Sequence, residues 1–371
     1  MSPVGEGRPS LLSERLASRI RAGGPLRFDA FQETALYEPA LGYYERAGRI
    51  GREGDFVTGS SWHPAFARSL ARVARRVRDE LGPITVADVG AGEGRLLSWM
   101  SEAMAGEAGI AFAGVERSAR RRAIAERAAP ALLYPSVEAL PRMRGLVVAY
   151  ELFDALPVRS LRVDDRGTIV ERCVDIGVGG ALAFAELPCA DGDAIRRALA
   201  ARGATLAPGQ LFEVRPGAAG LAGALAQKLD AGVLLVFDYG APARALHGPS
   251  RPLGTLEAFT RQRVTRDVLS EPGERDITAW VDFTELEEVF SRAGLAVRGL
   301  VSQSRLLLAS GIASELAPED PEILPDAARS AERNAVAKLF APGGMGEAIR
   351  VLVAERETSV GASLARFPAG E

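Results

Sequence analysis

The residues Asp88-Val89-Gly90-Ala91-Gly92-Glu93-Gly94 carry the most specific chemical signal in the chain. They follow a short apolar run, ITVADVG over 84–90, that reads as a buried strand. A helical pattern from about Arg95 to Ala105 comes next. Glycine lets a backbone turn sharply and lets a ligand approach where a Cβ would block it. A dinucleotide-binding turn wants glycine at the first, third and sixth positions, the last for close helix–strand packing. Counted from Gly90, the sixth position is Arg95. The charge is also wrong for a pyrophosphate, because Asp88 and Glu93 flank the turn. A ligand that has no phosphate but carries an ammonium and a sulfonium reverses that requirement, and S-adenosylmethionine is such a ligand. Glu116 closes a second strand, AFAGVE over 111–116, where a carboxylate can accept both ribose hydroxyls. That position serves NAD and S-adenosylmethionine alike. The candidate cofactor residues are Asp88, Gly90, Ala91, Gly92, Gly94 and Glu116, with Arg117 beside it and Tyr150 at the end of a third strand.

Methyl transfer from a sulfonium is an in-line displacement with a good leaving group. The protein must align donor and acceptor and exclude water. Neither a metal nor a covalent nucleophile is needed, which fits a chain with two histidines and two cysteines. His63 and His247 read as structural or exposed, and Cys173 and Cys189 as small core residues without metal-site spacing. Open α/β sheets place their clefts at the carboxyl ends of the strands. Glu151 and Asp154, just past Tyr150, are therefore candidates for the acceptor site. Each acid has a plainer reading. Asp154 could cap the turn before Pro157, and Asp238 could hold Tyr239-Gly240 in place. Asp276 and Asp282 read as helix N-caps, Asp282 with Glu285 three residues on. Tyr43 and Tyr44 suit packing as well as substrate contact.

These residues need a scaffold, and the pattern of elements supplies one. Strands at 84–90, 111–116, 146–151 and 233–240 alternate with helices of ordinary length, which predicts a parallel sheet in an α/β fold. Before it, residues 10–35 read as amphipathic helix broken at Gly23-Gly24-Pro25, and 64–81 as a helix with Phe66, Leu70, Val73 and Val77 on one face. Between 158 and 212 the runs SLRVDD, GTIVERCVDI and ALAFAEL read as antiparallel strands of an insertion. The expected organisation is an N-terminal helical and loop segment (1–81), the first half of a Rossmann-like domain (82–157) and an inserted α+β subdomain (158–212). The second half (213–357), with an insertion at 241–275, and a disordered tail (358–371) complete it. A helix at 282–293, a strand near 295–308, a helix around 326–340 and a strand at 348–355 fall in that second half.

Composition limits the partners. The net charge of −3 gives no global basic field for nucleic acid. No apolar run approaches the roughly 20 residues that span a bilayer, and the first residues, MSPVGEGRPS, lack the order of a signal peptide. A cytoplasmic protein with no membrane insertion is expected, an oligomer being possible.

Further blocks carry a resemblance. Pro39 to Tyr44 (PALGYY), Gly51 to Thr58 (GREGDFVT), Glu151 to Val158 (ELFDALPV), Phe237 to Gly240 (FDYG), Pro272 to Phe283 (PGERDITAWVDF) and Gly344 to Val351 (GMGEAIRV) stand in order. With the glycine turn they resemble the landmarks of the MidA-like family of S-adenosylmethionine-dependent methyltransferases, across almost the whole chain. The resemblance implies a Rossmann-like class I methyltransferase fold with inserted elements covering the cofactor cleft. It also implies that the loop holding Asp55 folds towards the cofactor, which makes Asp55, Glu151 and Asp154 the candidate catalytic acids. The family's mitochondrial member methylates a protein arginine, so an arginine acceptor is expected. A small-molecule acceptor and a non-catalytic assembly factor are the alternatives. The sequence departs from the family at Gly59-Ser60-Ser61-Trp62, at Tyr150 and at Phe259-Thr260-Arg261, which bears on the acceptor more than on the cofactor.

Overall fold

A computed structural model describes residues 10–45, 62–260, 263–316, 327–341 and 343–366. The chain divides into two compact units. One is made of Met1–Phe56, Ala155–Gly217 and Ala243–Trp280, the other of Val57–Asp154, Ala218–Pro242 and Val281–Glu371. The first unit opens with α1 (Leu11–Gly23), β1 (Leu26–Arg27) and α2 (Phe28–Tyr37). The second takes over with α3 (Pro64–Leu81), β2 (Ile84–Val89), α4 (Arg95–Ala103), β3 (Ile110–Val115), α5 (Ala119–Ala128), β4 (Leu132–Tyr134) and β5 (Met143–Tyr150). Then β6 (Arg159–Val163), β7 (Ile169–Ile176), β8 (Leu182–Pro188), α6 (Gly192–Ala201) and β9 (Leu211–Val214) belong to the first unit. The helix α7 (Ala218–Lys228) and strand β10 (Leu229–Ala241) return to the second. The first unit ends with α8 (Ala243–Leu246), β11 (Glu257–Thr260), β12 (Arg263–Thr265) and β13 (Asp276–Thr278). The second ends with β14 (Val281–Asp282), α9 (Phe283–Arg292), β15 (Ala296–Ser302) and α10 (Gln303–Ala309). After these come α11 (Ala327–Ala337), α12 (Met345–Ala348), β16 (Ile349–Arg356) and α13 (Val360–Ala365).

In the second unit the sheet runs β15-β16-β10-β5-β2-β3-β4, with the short β14 beside β10. Strands β10, β5, β2, β3 and β4 are mutually parallel, and β16 is antiparallel to both its neighbours. From β2 the chain steps outward through β3 and β4, then reappears as β5 on the other flank of β2. The strand order therefore reverses between β2 and β5, and open parallel sheets bind ligands outside the carboxyl ends at such a reversal. Only Arg144 of β5 is exposed, and β10 is as continuously buried, which is the mark of strands covered on both faces. Phe66, Leu70, Val73 and Val77 of α3 are fully buried in that core. The Phe66 ring meets Tyr150 and Phe237 edge-on, at 5.3 and 5.5 Å between centroids. His63 starts this helix, its Nδ1 accepting the Ala65 N–H at 3.1 Å, with Pro64 in the first turn.

The first unit has its own sheets, β1-β7-β6-β9 with β8 against β7, and β12-β11-β13. Its core includes Phe28, Phe31, Leu36, Tyr43 and Ile277. The buried Gln32 amide is satisfied at both ends, donating to the Ile277 carbonyl at 2.8 Å and accepting from the Val158 N–H at 2.9 Å. Buried Arg159 forks onto Glu171 and reaches Asp191.

Several expectations need correction. The segment 1–81 is divided, because the apolar face of α3 belongs to the second unit's core. The strand expected near 295–308 stops at Ser302, whose hydroxyl caps α10 by accepting the Arg305 N–H at 3.2 Å. The tail is helical over Val360–Ala365, since Val360 and Leu364, one turn apart, are buried in the sheet core. Glu355 fixes that helix by accepting the Ala362 N–H at 3.1 Å. Asp276 caps no helix. It lies in β13 and accepts the Tyr44 hydroxyl at 2.8 Å, while Tyr43 is fully buried. Asp282 does cap α9, accepting from Thr284 and Glu285 at 3.0 and 3.3 Å.

Candidate functional site

The turn after β2 is fastened at both ends. The N–H groups of Gly90 and Ala91 both donate to the Val115 carbonyl, at 2.8 and 2.9 Å, so the turn is held on the end of β3. Glu116, the residue after β3, accepts the Gly92 N–H through Oε2 at 2.9 Å and the Ser118 N–H through Oε1 at 2.8 Å. Gly90, Gly92 and Gly94 have φ of +84°, +55° and +80°, a region that L side chains avoid. Gly94 has a second constraint. A Cβ there would lie 2.9 Å from the Ala125 Cβ of α5. Close packing beneath the turn thus falls to the fifth position, Gly94, while Arg95 at the sixth is exposed.

Asp88 lies one residue before the end of β2 and is buried. Burial, with the charge of Glu116 adding to it, pushes its carboxyl up to about 7. Two buried acids below a backbone turn suit a cationic ligand and oppose a phosphate. Among the described residues, a Cβ on Gly92 would meet no atom within 4 Å, so on that side the turn is open. The turn, Asp88 and Glu116 therefore fit a nucleoside sulfonium and could hold it.

The turn after β5 stands beside the glycine turn. A Cβ on Gly90 would lie 3.1 Å from Leu152 Cδ1. Glu151 continues the ladder by donating its N–H to the Phe237 carbonyl at 2.8 Å, then bends the chain with a φ of +47°. For a residue other than glycine that conformation costs of order 1–3 kcal/mol and recurs at functional sites. Both Glu151 carboxyl oxygens are buried, as is Asp154. From β10, the fully buried Asp238 accepts the N–H groups of Phe153 and Asp154 through Oδ2, at 2.9 and 3.2 Å. Its Oδ1 takes the Tyr239 N–H at 2.9 Å. Burial and the charges of Glu151, Asp154 and Asp238 hold the Tyr239 hydroxyl far above its usual range.

A family of proteins described as S-adenosyl-L-methionine-dependent methyltransferases matches residues 65–301. The chain belongs to this family. It is similar to a Burkholderia thailandensis protein solved with S-adenosyl-homocysteine bound, at 33% identity and a TM-score of 0.84, over 96% of this chain and 95% of that one. The mitochondrial protein arginine methyltransferase NDUFAF7 of Danio rerio is 26% identical over 360 residues, 84% of this chain and 80% of its own length. The human protein of that name is 25% identical over 345 residues, 80% of this chain and 72% of its own length. The protein is a methyltransferase that uses S-adenosylmethionine on a Rossmann-like fold.

Within this methyltransferase, Asp88, Gly90, Ala91, Gly92, Gly94 and Glu116 come together at the ends of β2 and β3, with Glu151 and Asp154 on the next turn. Arg117 is exposed between Glu116 and Ser118. Tyr150 is corrected as a side-chain contact, because its ring points into the core. It stacks on Phe237 at 5.2 Å, and its hydroxyl donates to Gln303 Oε1 at 2.9 Å. Asp55, with Gly59, Ser60 and Ser61, lies outside the described residues, as does Arg261. Trp62 donates its indole N–H to the Ala335 carbonyl at 2.9 Å. His247 is buried in the first unit, where burial pushes its imidazole down to about 4. Cys173 is buried and Cys189 half-buried, its Sγ beside Arg159 and Asp191. The sequence reading missed Ser118, whose hydroxyl also caps α5 at the Arg121 N–H, although a serine before a helical run is a visible signal. It also missed the hold of Asp238 on Phe153 and Asp154, which bridges more than 80 positions and leaves no local trace.

Proposed function

We propose that this methyltransferase acts on arginine side chains of a protein. The bound cofactor supplies an electrophilic methyl group on a sulfonium. Asp88 and Glu116 would hold it by charge and hydrogen bonding, beside the turn of Gly90 to Gly92, whose own N–H groups are engaged by Val115 and Glu116. The observation that carries the arginine reading is the acidic turn at the end of β5, where Glu151 and Asp154 lie three positions apart beside the glycine turn. A guanidinium keeps its proton at any physiological pH, with a pKa above about 12. Its nitrogen becomes nucleophilic only when the charge is drawn to the far side of the group. Paired carboxylates orient the planar cation, hold its charge on the distal nitrogens and take the released proton. Asp55 is the third acid of this reading. The names of the zebrafish and human relatives support the same substrate class, and a cytoplasmic setting is part of the proposal.

The test is transfer of labelled methyl from S-adenosylmethionine into a lysate of a strain lacking the gene, with mass spectrometry of the product. Methylarginine in protein is the expected result. Label confined to a small organic-soluble molecule overturns the arginine reading. No label in any fraction, with good cofactor binding, leaves an assembly role.

A further inference from the structure

Strand β10 ends its pairing with β5 at Phe237 and Tyr150. One residue later each chain needs a new device. On β5 the device is a bend at Glu151, left-handed at φ +47°. The bend points the backbone N–H groups of Phe153 and Asp154, two and three residues on, back towards β10. They meet the Asp238 carboxylate, which is fully buried and takes both through one oxygen at 2.9 and 3.2 Å. Its other oxygen takes the N–H of Tyr239 at 2.9 Å. An ionised acceptor makes hydrogen bonds roughly twice as strong as a neutral one. Three donors on one buried carboxylate therefore make a stiff clamp, and its two long-range donors belong to the turn that carries Glu151 and Asp154. Asp238 itself is fully buried, and the three donors named here are all backbone N–H groups.

We propose that Asp238 is a positioning residue for methyl transfer, whose carboxylate sets the bend that orients the acids at 151 and 154. This rests on the reading of that turn as the acceptor side of the site. The clamp holds the turn in one geometry before the acceptor arrives, and misplacing a reacting group by about 1 Å can cost a hundredfold in rate. Asparagine has the shape of aspartate but a single acceptor oxygen. It can serve the Phe153 and Asp154 donors or the Tyr239 donor, and it presents an N–H₂ to the other.

The experiment compares full-length wild type with Asp238→Asn, and with Asp238→Ala where that variant folds. Amide hydrogen exchange is read over 151–155, with the 90–94 turn as internal control. Labelled methyl transfer is measured into whichever lysate fraction the wild type labels, protein or small molecule. Asp238→Asn is expected to exchange at least tenfold faster at Phe153 and Asp154, and to leave 90–94 unchanged. Its cofactor affinity should stay within threefold, while kcat falls at least thirtyfold. Unchanged exchange at 153 and 154 overturns the proposal. So does faster exchange with unchanged kcat, or a loss that appears equally in cofactor affinity. Label in a small molecule rejects the arginine reading, and the exchange and kcat comparison still decides the role of Asp238.

Discussion

The Glu116 carboxylate accepts the backbone N–H of Gly92 at 2.9 Å, so the acid after β3 also shapes the turn after β2. Its other oxygen takes the Ser118 N–H. A carboxylate has about four acceptor positions, so one such group can hold backbone donors and a ribose together. Glu116 thus serves turn and ligand together, and its removal should be felt in both. Glu116→Ala is expected to weaken S-adenosylmethionine binding by about ten- to a hundredfold, roughly 1.4–2.7 kcal/mol, and to speed exchange at Gly92. Glu116→Gln keeps one acceptor oxygen and should lose less. Calorimetry on the folded variants checks this, and unchanged affinity in Glu116→Ala rules out a ribose contact.

Gly92 and Gly94 share a positive φ but have different surroundings. Among the described residues, a Cβ at Gly92 meets open space, whereas at Gly94 it meets the α5 backbone and Ala125 within about 3 Å. Gly94→Ala should destabilise the cofactor-free protein by roughly 2–4 kcal/mol, strain and overpacking together. Gly92→Ala, with strain alone, should cost about 1 kcal/mol and act mainly on cofactor affinity. Urea unfolding separates the two, and equal losses would show that packing on α5 adds nothing.

Asp88 makes stability depend on pH in an unusual direction. Its folded pKa of about 7 lies above the usual carboxylate range, so the folded chain holds this proton more tightly than the unfolded chain does. The stability linked to it is full below about pH 4 and is lost as pH rises through 7. Asp88→Asn cannot ionise and lacks this dependence. Between pH 5 and 8 the wild type should therefore lose on the order of 2 kcal/mol relative to Asp88→Asn in urea unfolding. An unchanged difference between the two proteins would place Asp88 in a wetter, ordinary setting.

Much of the site was legible because its signals are local. The strand–glycine turn–helix order at 84–105 and the closing acid Glu116 lie within about thirty residues, and the chemistry follows from charge and Cβ sterics. The capping of α9 by Asp282 was legible for the same reason. Tyr150 was not, since its position at a strand end says nothing about which face its ring takes. The aromatic partners Phe66 and Phe237 decided that through packing. The helix at 360–365 was missed because a two-residue apolar pair is too short a period to stand out. In sequence Asp238 reads as local support for Tyr239, and its hold on Phe153 and Asp154 exists only once β10 lies beside β5.

The acids themselves give the sharpest test of the proposed reaction. An arginine acceptor needs its cation oriented, its charge held and a proton removed, whereas a hydroxyl acceptor needs one base. The number of essential carboxylates therefore reports the acceptor class. Asp55→Asn, Glu151→Gln and Asp154→Asn are each expected to keep cofactor affinity within about threefold, less than about 0.7 kcal/mol. At least two should lower methyl transfer a hundredfold or more, about 2.7 kcal/mol of transition-state stabilisation. Glu151→Gln keeps the length of the side chain in its left-handed bend, so a loss there reports charge and not geometry. Glu151→Gly relaxes the bend and removes the carboxylate. It should be at least as stable as Glu151→Gln and no more active, which separates backbone strain from chemistry. Activity retained in two of the three amide variants, with label still in methylarginine, would mean that the proton leaves by another route and that this turn serves only to bind.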